Sequence, residues 1–322
     1  VPEWLPRRLV TLPGVVLGFW LALAVSPALF LVAALVDLAR RARSLSTLRL
    51  AAFGLAYLAI ENLALLLLLG VWLTTRAGTR ARLERTFAAQ RRYTALLVGA
   101  VTRVFSLRFV VEDSALAATG PLLVFVRHAS LVDVLIPGGF IANVHHLELR
   151  YVLKRELLVD PALDVAGHWI PNHFVDRSGG DTERELAAIA ALKANLGPRE
   201  GVLLYPEGTR FSERRREALL ASLTGDARRR AEELRHVLPL RKGGPLTLLA
   251  TPPACDVLFV GHHGLEGLTR LGDIWRGSLI GRTVTIKFWR APAASIPEGD
   301  DARLEWLHGH WRTLDRWLES FP

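Results

Sequence analysis

Between Arg127 and Asp133 the chain reads RHASLVD, directly after the apolar run GPLLVFV. A histidine bonded to a carboxylate through one ring nitrogen presents the other as a general base, able to take the proton of a hydroxyl group near neutral pH. His128 and Asp133 are spaced for that arrangement if a strand ends at the histidine and the chain then turns back. The same residues also fit an ordinary helix start, because Ser130 and Asp133 have the S-x-x-D spacing of a capping box. The two readings are compatible, and both stay open on the sequence alone.

A second stretch, YPEGTRFSERR from Tyr205 to Arg215, again follows an apolar run. Gly208 permits close backbone approach, and Arg210 offers a planar fork suited to phosphate. Taken by itself, EGTR would also serve as a plain turn with an exposed ion pair.

Elements that could position these residues are legible as alternating short apolar runs and amphipathic stretches, the pattern of an α/β domain. The expected strands are 107–112, 121–127, 150–154, 201–206, 255–261 and 283–289. A helix over 181–197 is bounded by Asp181 or Thr182 as cap and by Gly197. Residues 213–236 read as a charged helix or helix pair. Over 301–321, Leu304, Leu307, Trp311, Leu314 and Leu318 form one stripe, expected to face the core.

The chain has 322 residues, a net charge of +9 and one cysteine, Cys255. Twelve arginines against four acids lie in residues 1–92, whereas residues 93–322 hold 28 basic and 27 acidic side chains. The excess of charge therefore belongs to the N-terminal part, and the remainder has no overall basic character with which to track a nucleic acid. A lone thiol excludes an internal disulfide.

Two long apolar runs occupy that basic part: 28 uncharged residues from Leu9 to Val36, and 26 from Leu50 to Thr75 interrupted only by Glu61. Each exceeds the roughly 20 residues needed to span a bilayer, and both are too long for the core of a signal peptide. Pro13 and Pro27 would kink the first, and Glu61 and Asn62 need burial between helices or a place near an interface. Arginines flank every end of both runs, so a hairpin dipping into one leaflet agrees better with the positive-inside bias than two full spans do. The expected organisation is a membrane-anchoring helical hairpin with a basic connector over 1–92, followed by an enzyme domain over 93–322.

The order of these blocks resembles the glycerolipid acyltransferases, which include the lysophosphatidate acyltransferases. HASLVD is similar to their His-x4-Asp block, although Arg127 stands where asparagine is common. LKREL (153–157) and FVDR (174–177) resemble their arginine block, PEGTR (206–210) their E-G-T-R block, and LPLRKGG (238–244) with ATPPACDVLFV (250–260) their proline-bearing apolar block. The resemblance covers roughly residues 93–290. It implies an α/β domain with a central mixed sheet flanked by helices. It also implies that His128 deprotonates a glycerol hydroxyl with Asp133 orienting it, and that Glu207, Gly208, Thr209, Arg210, Lys154 and Arg177 bind acceptor and phosphate. The implied partners are a lysophospholipid acceptor, most closely lysophosphatidate, an acyl thioester donor (acyl-CoA or acyl-carrier protein) and membrane lipids, at the cytoplasmic face of a bacterial inner membrane. Another lysophospholipid, glycerol 3-phosphate or a lyso-aminolipid are alternative acceptors, and an inactive membrane scaffold is an alternative of another class.

No cofactor or metal is expected. The pairs His145–His146 and His262–His263 alternate across a strand and cannot both face one ion, and His308-x-His310 has no carboxylate at ligand spacing. Arg214–Arg216 and Arg228–Arg230 read as solvated helix faces, with contact to coenzyme A phosphates or anionic headgroups as their functional alternative.

Overall fold

A computed structural model describes residues 4–176 and 182–321, and the chain divides into two compact units. The first comprises residues 1–108, 153–174 and 270–282. It holds three long helices, α1 (Trp4–Ala39), α2 (Ser46–Thr74) and α3 (Arg80–Phe105). Helices α1 and α2 are each long and apolar enough to cross a membrane. At 36 residues, α1 is about 54 Å long, with Pro13 and Pro27 inside it. The turn between the two helices is closed by Asp37, whose carboxylate accepts the amides of Thr47 and Leu48 at 3.0 and 2.9 Å. A negative charge there also suits the positive end of α2.

Glu61 in α2 shows how an acid is accommodated in an apolar helix. It is fully buried, accepting from the Tyr93 hydroxyl of α3 at 2.9 Å and from the amide of Ala162 at 2.7 Å. The expected need for burial between helices is thus met. Asn62 donates to the carbonyl of Leu58 at 2.8 Å. Segment 153–174 supplies a 3-10 turn (Arg155–Val159) and helix α5 (Pro161–Trp169), which is capped by Asp160 and follows in chain order the short α4 (Asn143–His145) of the second unit. Arg7 and Arg8 both pair with Asp164 of α5, at 2.7 and 2.9 Å. Burial would raise the pKa of Asp164, but these two guanidinium groups hold it below the ordinary value.

The second unit comprises residues 109–152, 175–269 and 283–322. Its sheet is built on β1 (Arg108–Glu112), β2 (Leu122–Val126), β3 (Glu148–Lys154), β4 (His173–Val175), β5 (Glu200–Leu204), β6 (Asp256–His263) and β7 (Thr283–Ala291), in the spatial order β1-β7-β6-β2-β5-β3-β4. All six expected strands form, each limit within two residues of the expected one. The three-residue β4 has too short an apolar pattern to be read from sequence. Strand β2 runs parallel to both neighbours, β5 and β6, while β7 is antiparallel to β6. Every residue of β2 and β5 is buried, as expected for strands covered on both faces.

Helices α6 (Thr182–Ala191), α7 (Glu213–Ser222), α8 (Gly225–Glu232), α9 (Gly243–Ala250) and α11 (Asp300–Glu319) complete the unit, while α10 (Leu271–Trp275) belongs to the first. Leu307, Trp311, Leu314 and Leu318 share one core cluster with Phe125, Val257 and Phe259, and Leu304 is also buried, so α11 is a core helix as its pattern implies. Helix α6 ends earlier than Gly197. Arg150 donates to the carbonyls of Leu192 and Ala194 at 2.9 and 2.7 Å, and Asn195 takes the left-handed conformation expected of a terminating residue.

Candidate active site

Three strands deliver the site. Strands β2, β5 and β6 are parallel neighbours, so their carboxyl ends lie together, the usual location of a site in such sheets. In the register, Val126 lies beside Val260, and Phe125 beside both Phe259 and Leu204. Two residues past Val126 is His128; two past Val260 is His262; three past Leu204 is Glu207.

The imidazole of His128 is 12% exposed, and its Nδ1 lies 3.0 Å from Asp133 Oδ1. Asp133 is fully buried. Burial would raise its pKa, but hydrogen bonds from His128 and His262 hold it well below the ordinary carboxylate range. An ionised carboxylate only accepts, so Nδ1 of His128 is the donor and Nε2 carries the free lone pair. No described residue bonds Nε2. The ring of Tyr205 lies alongside, 4.6 Å between centroids.

Asp133 also closes the turn. Its Oδ2 accepts the amides of Ala129 and Ser130 at 2.6 and 2.7 Å, while Ser130 Oγ accepts the amides of Val132 and Asp133 at 2.9 and 3.0 Å. Both readings of the motif are therefore realised at once: reciprocal S-x-x-D capping and the histidine–carboxylate pair. The helix expected to start near Ser130 does not. Residues 130–134 are turn, and the chain then winds as a π-helix over Pro137–Ala142, where Pro137 has no amide to give and two glycines follow.

Glu207 is 2% exposed and faces inward. Its Oε1 accepts the amide of His128 and its Oε2 that of Leu238, both at 2.8 Å. Burial pushes its pKa up to about 8 despite those two donors. The carboxylate thus fastens the loop after β2 to the LPLRKGG segment rather than facing solvent. The carbonyl of His128 in turn accepts the amide of Phe211 at 2.7 Å.

Gly208 has φ +67°, and a Cβ there would stand 2.6 Å from Cδ of Arg241. Arg241 is exposed, and its amide bonds the carbonyl of Pro206 at 2.8 Å. Thr209 and Arg210 are half-buried, and the carbonyl of Arg210 accepts from Arg215 Nη1 at 2.9 Å. The fold thus brings His128, Asp133, Glu207, Gly208, Thr209 and Arg210 to one end of the sheet. Lys154 closes β3 and falls in the first unit; Arg177 lies outside the described residues.

Three residues have parts that sequence reasoning did not assign. Arg241 sits over Gly208. Arg127 is 1% exposed and donates through Nη1 to the His262 carbonyl and to Glu266, each at 2.5 Å, and through Nη2 to the His236 carbonyl at 2.9 Å. His262 is fully buried behind Asp133, while His263 stacks on Phe321 at 4.1 Å, so the adjacent pair does face opposite ways. Only the parallel pairing of β2 with β6 brings Arg127 and His262 together. The one sequence signal was the arginine before His128, a long cation in a run that is otherwise buried.

Comparison with known proteins bears on the family and the fold. Residues 108–243 match the family model described as Acyltransferase. The mouse (Mus musculus) protein 1-acyl-sn-glycerol-3-phosphate acyltransferase epsilon is 25% identical over 222 residues, which are 62% of this chain and 58% of that relative. The chain thus spans under two thirds of that relative's length. The crystal structure of the 1-acyl-sn-glycerophosphate acyltransferase PlsC from Thermotoga maritima superposes with a TM-score of 0.58 over 87% of this chain and 97% of that one, at 18% identity, a likeness of fold. Residues 108–243 are an acyltransferase-family domain, and the family model, the mouse relative and the PlsC fold together support a place among the glycerolipid acyltransferases.

Proposed function

We propose that the protein is an O-acyltransferase that moves a fatty acyl chain from a thioester to the free hydroxyl of lysophosphatidate, giving phosphatidate. The observation that carries the reading is the 3.0 Å contact between Asp133 and His128 Nδ1, which leaves Nε2 as a base. Nε2 takes the proton of the acceptor hydroxyl, and the oxygen attacks the thioester carbonyl. The C–O bond forms, the C–S bond breaks, and His128 returns the proton to the departing sulfur, which leaves as the free thiol. No acyl-enzyme is needed.

Arg210, two residues past Gly208, and Arg241, which packs over Gly208, are the cations this reading assigns to the acceptor phosphate; Lys154 and Arg177 are further phosphate ligands in it. Glu207 and Gly208 shape the loop that carries those cations. Acyl-CoA or acyl-carrier protein serves as donor, with no cofactor.

The acceptor is drawn from the membrane, at the cytoplasmic face of a bacterial inner membrane. Helices α1 and α2 form a hairpin that lies in one leaflet. Two observations within the first unit support this. Arg7 and Arg8 at one end of α1 pair with Asp164 of α5. At the other end, Arg40 stacks 4.0 Å over Trp275 of α10, whose indole nitrogen bonds Thr47 at 3.0 Å. Contacts at both ends of α1 with segments outside the hairpin favour a helix lying along the membrane over one crossing it.

The decisive experiment is thiol release by the purified protein from acyl-CoA, with lysophosphatidate, other lysophospholipids, glycerol 3-phosphate and a lyso-aminolipid in parallel. Fastest release with lysophosphatidate is expected. Faster release with a non-phosphorylated acceptor overturns the acceptor assignment, and none with any acceptor or with acyl-carrier protein as donor leaves the scaffold reading.

A further inference from the structure

Behind the His128–Asp133 pair stands a second imidazole. His262, at the end of β6, is fully buried, with Nε2 3.3 Å from Asp133 Oδ2 and 3.2 Å from the carbonyl oxygen of Arg127. Both neighbours are acceptors, so Nε2 carries the hydrogen and shares it between them. Nδ1 has no hydrogen-bond partner among the described residues. A charged ring would leave a buried N–H unmatched at Nδ1, whereas a neutral ring leaves only a lone pair there, the smaller penalty. The geometry therefore selects the neutral Nε2–H tautomer.

We infer that His262 is a positioning residue for acyl transfer, anchoring the Asp133 carboxylate to the sheet so that its other oxygen stays aimed at His128. The inference rests on the acyl-transfer reading of the site. The amides of Ala129 and Ser130, which also donate to Asp133, belong to the same turn and move with it. The His262 N–H comes from a different strand and fixes the carboxylate against an outside frame. The loop after His128 has one further tie to that side, from the Leu131 amide to the Leu268 carbonyl at 2.9 Å. His262 is itself held from behind. Arg127 Nη1 bonds its carbonyl, and the same nitrogen pairs with Glu266, whose pKa burial would raise but Arg127 lowers to about 2. The arginine that replaces the familiar asparagine before the histidine thus has a partner set of its own, running Glu266, Arg127, His262, Asp133, His128. Glu207 and Tyr205, reached from β5, are the other titratable groups facing the pair.

Nuclear magnetic resonance of the full chain in detergent micelles tests this with and without activity. In the wild type, imidazole ¹⁵N shifts should report His262 as the neutral Nε2–H tautomer and His128 with a low-field Nδ1–H proton. His262→Leu should fold, lose or shift that low-field proton, and lower kcat about 10²-fold, the scale of an orientation defect, with KM for both substrates unchanged. His262→Gln, which can place an N–H near the same point, should retain the proton and recover most of kcat. A wild-type His262 carrying its hydrogen on Nδ1 overturns the proposal whatever the variants do. So does a folded His262→Leu protein with unchanged kcat and an unchanged low-field proton. If the wild type releases no thiol, the acyl-transfer reading fails while the resonances still decide whether His262 orients Asp133.

Discussion

Glu207 Oε1 accepts the backbone amide of His128 at 2.8 Å, so the base is held in place by a carboxylate that arrives from another strand. The second oxygen holds Leu238 in the same way. Glu207→Gln turns one of two acceptors into a donor facing an amide, and should cost about 1–3 kcal/mol together with a fall in kcat. The pH dependence has a defined sign. The folded-state pKa, about 8, is raised above the ordinary value of 4.5. The stability Glu207 contributes is therefore full below about 4.5 and is lost as pH rises through about 8. Urea denaturation of wild type and variant at a series of pH values checks this: their difference should shrink from acid to alkaline pH. A difference that grows with pH overturns the assignment.

His128→Ala should lower turnover by roughly 10²–10⁴-fold while circular dichroism stays near wild type and the urea midpoint falls only modestly, because the ring is partly exposed and meets Asp133 and the Tyr205 ring. Asp133→Asn should differ in kind. Asn cannot accept on both sides, so the capped turn and the orientation of His128 are lost together, and both stability and rate should fall. A folded His128→Ala protein with near-normal turnover removes the base mechanism.

Gly208→Ala forces a side chain into the left-handed region, at a cost of about 1–2 kcal/mol, and presses on Arg241 at 2.6 Å. Displacing that guanidinium should raise the apparent KM for the phosphorylated acceptor more than that for the thioester. Arg210→Lys should do the same, since a point charge does not reproduce a planar fork. Initial rates at fixed donor and varied acceptor, then the reverse, separate the two. A rise confined to the donor moves both arginines to the thioester side of the site.

The one-leaflet hairpin predicts that the turn between α1 and α2 shares a side with the rest of the chain. A single cysteine at the exposed Ser44, in a Cys255→Ala background, should react with an impermeant maleimide only from the face on which the enzyme domain lies, in sealed vesicles of known orientation. Labelling only from the opposite face means that the hairpin crosses. Glu61→Ala should destabilise the helices of this unit, since the Ala162 amide loses its acceptor and the Tyr93 hydroxyl keeps only its longer 3.4 Å bond to Asp160. Glu61→Gln, which keeps an acceptor oxygen, should do so less.

Local chemistry made much of this protein legible in its sequence. Alternation of short apolar runs with amphipathic ones marked six strands and the core stripe of α11, because burial of one face imposes a period on the chain. Length and apolarity marked α1 and α2, and S-x-x-D spacing marked the capped turn at Ser130. His128, Asp133 and the EGTR loop could be named because each motif lies within a few residues. What the tertiary structure alone decided were contacts between segments distant in the chain. Glu207 looked like a ligand for substrate, yet its oxygens meet the amides of His128 and Leu238, which only parallel β2 and β5 and the following loop bring within reach. Glu61 found its acceptor duties in α3 and α5, and Arg7 and Arg8 found Asp164. His262 could be judged only as one of two adjacent rings until β6 was paired with β2. Strand order and register are set by the summed burial of the whole sheet, a quantity that no single window of the sequence contains.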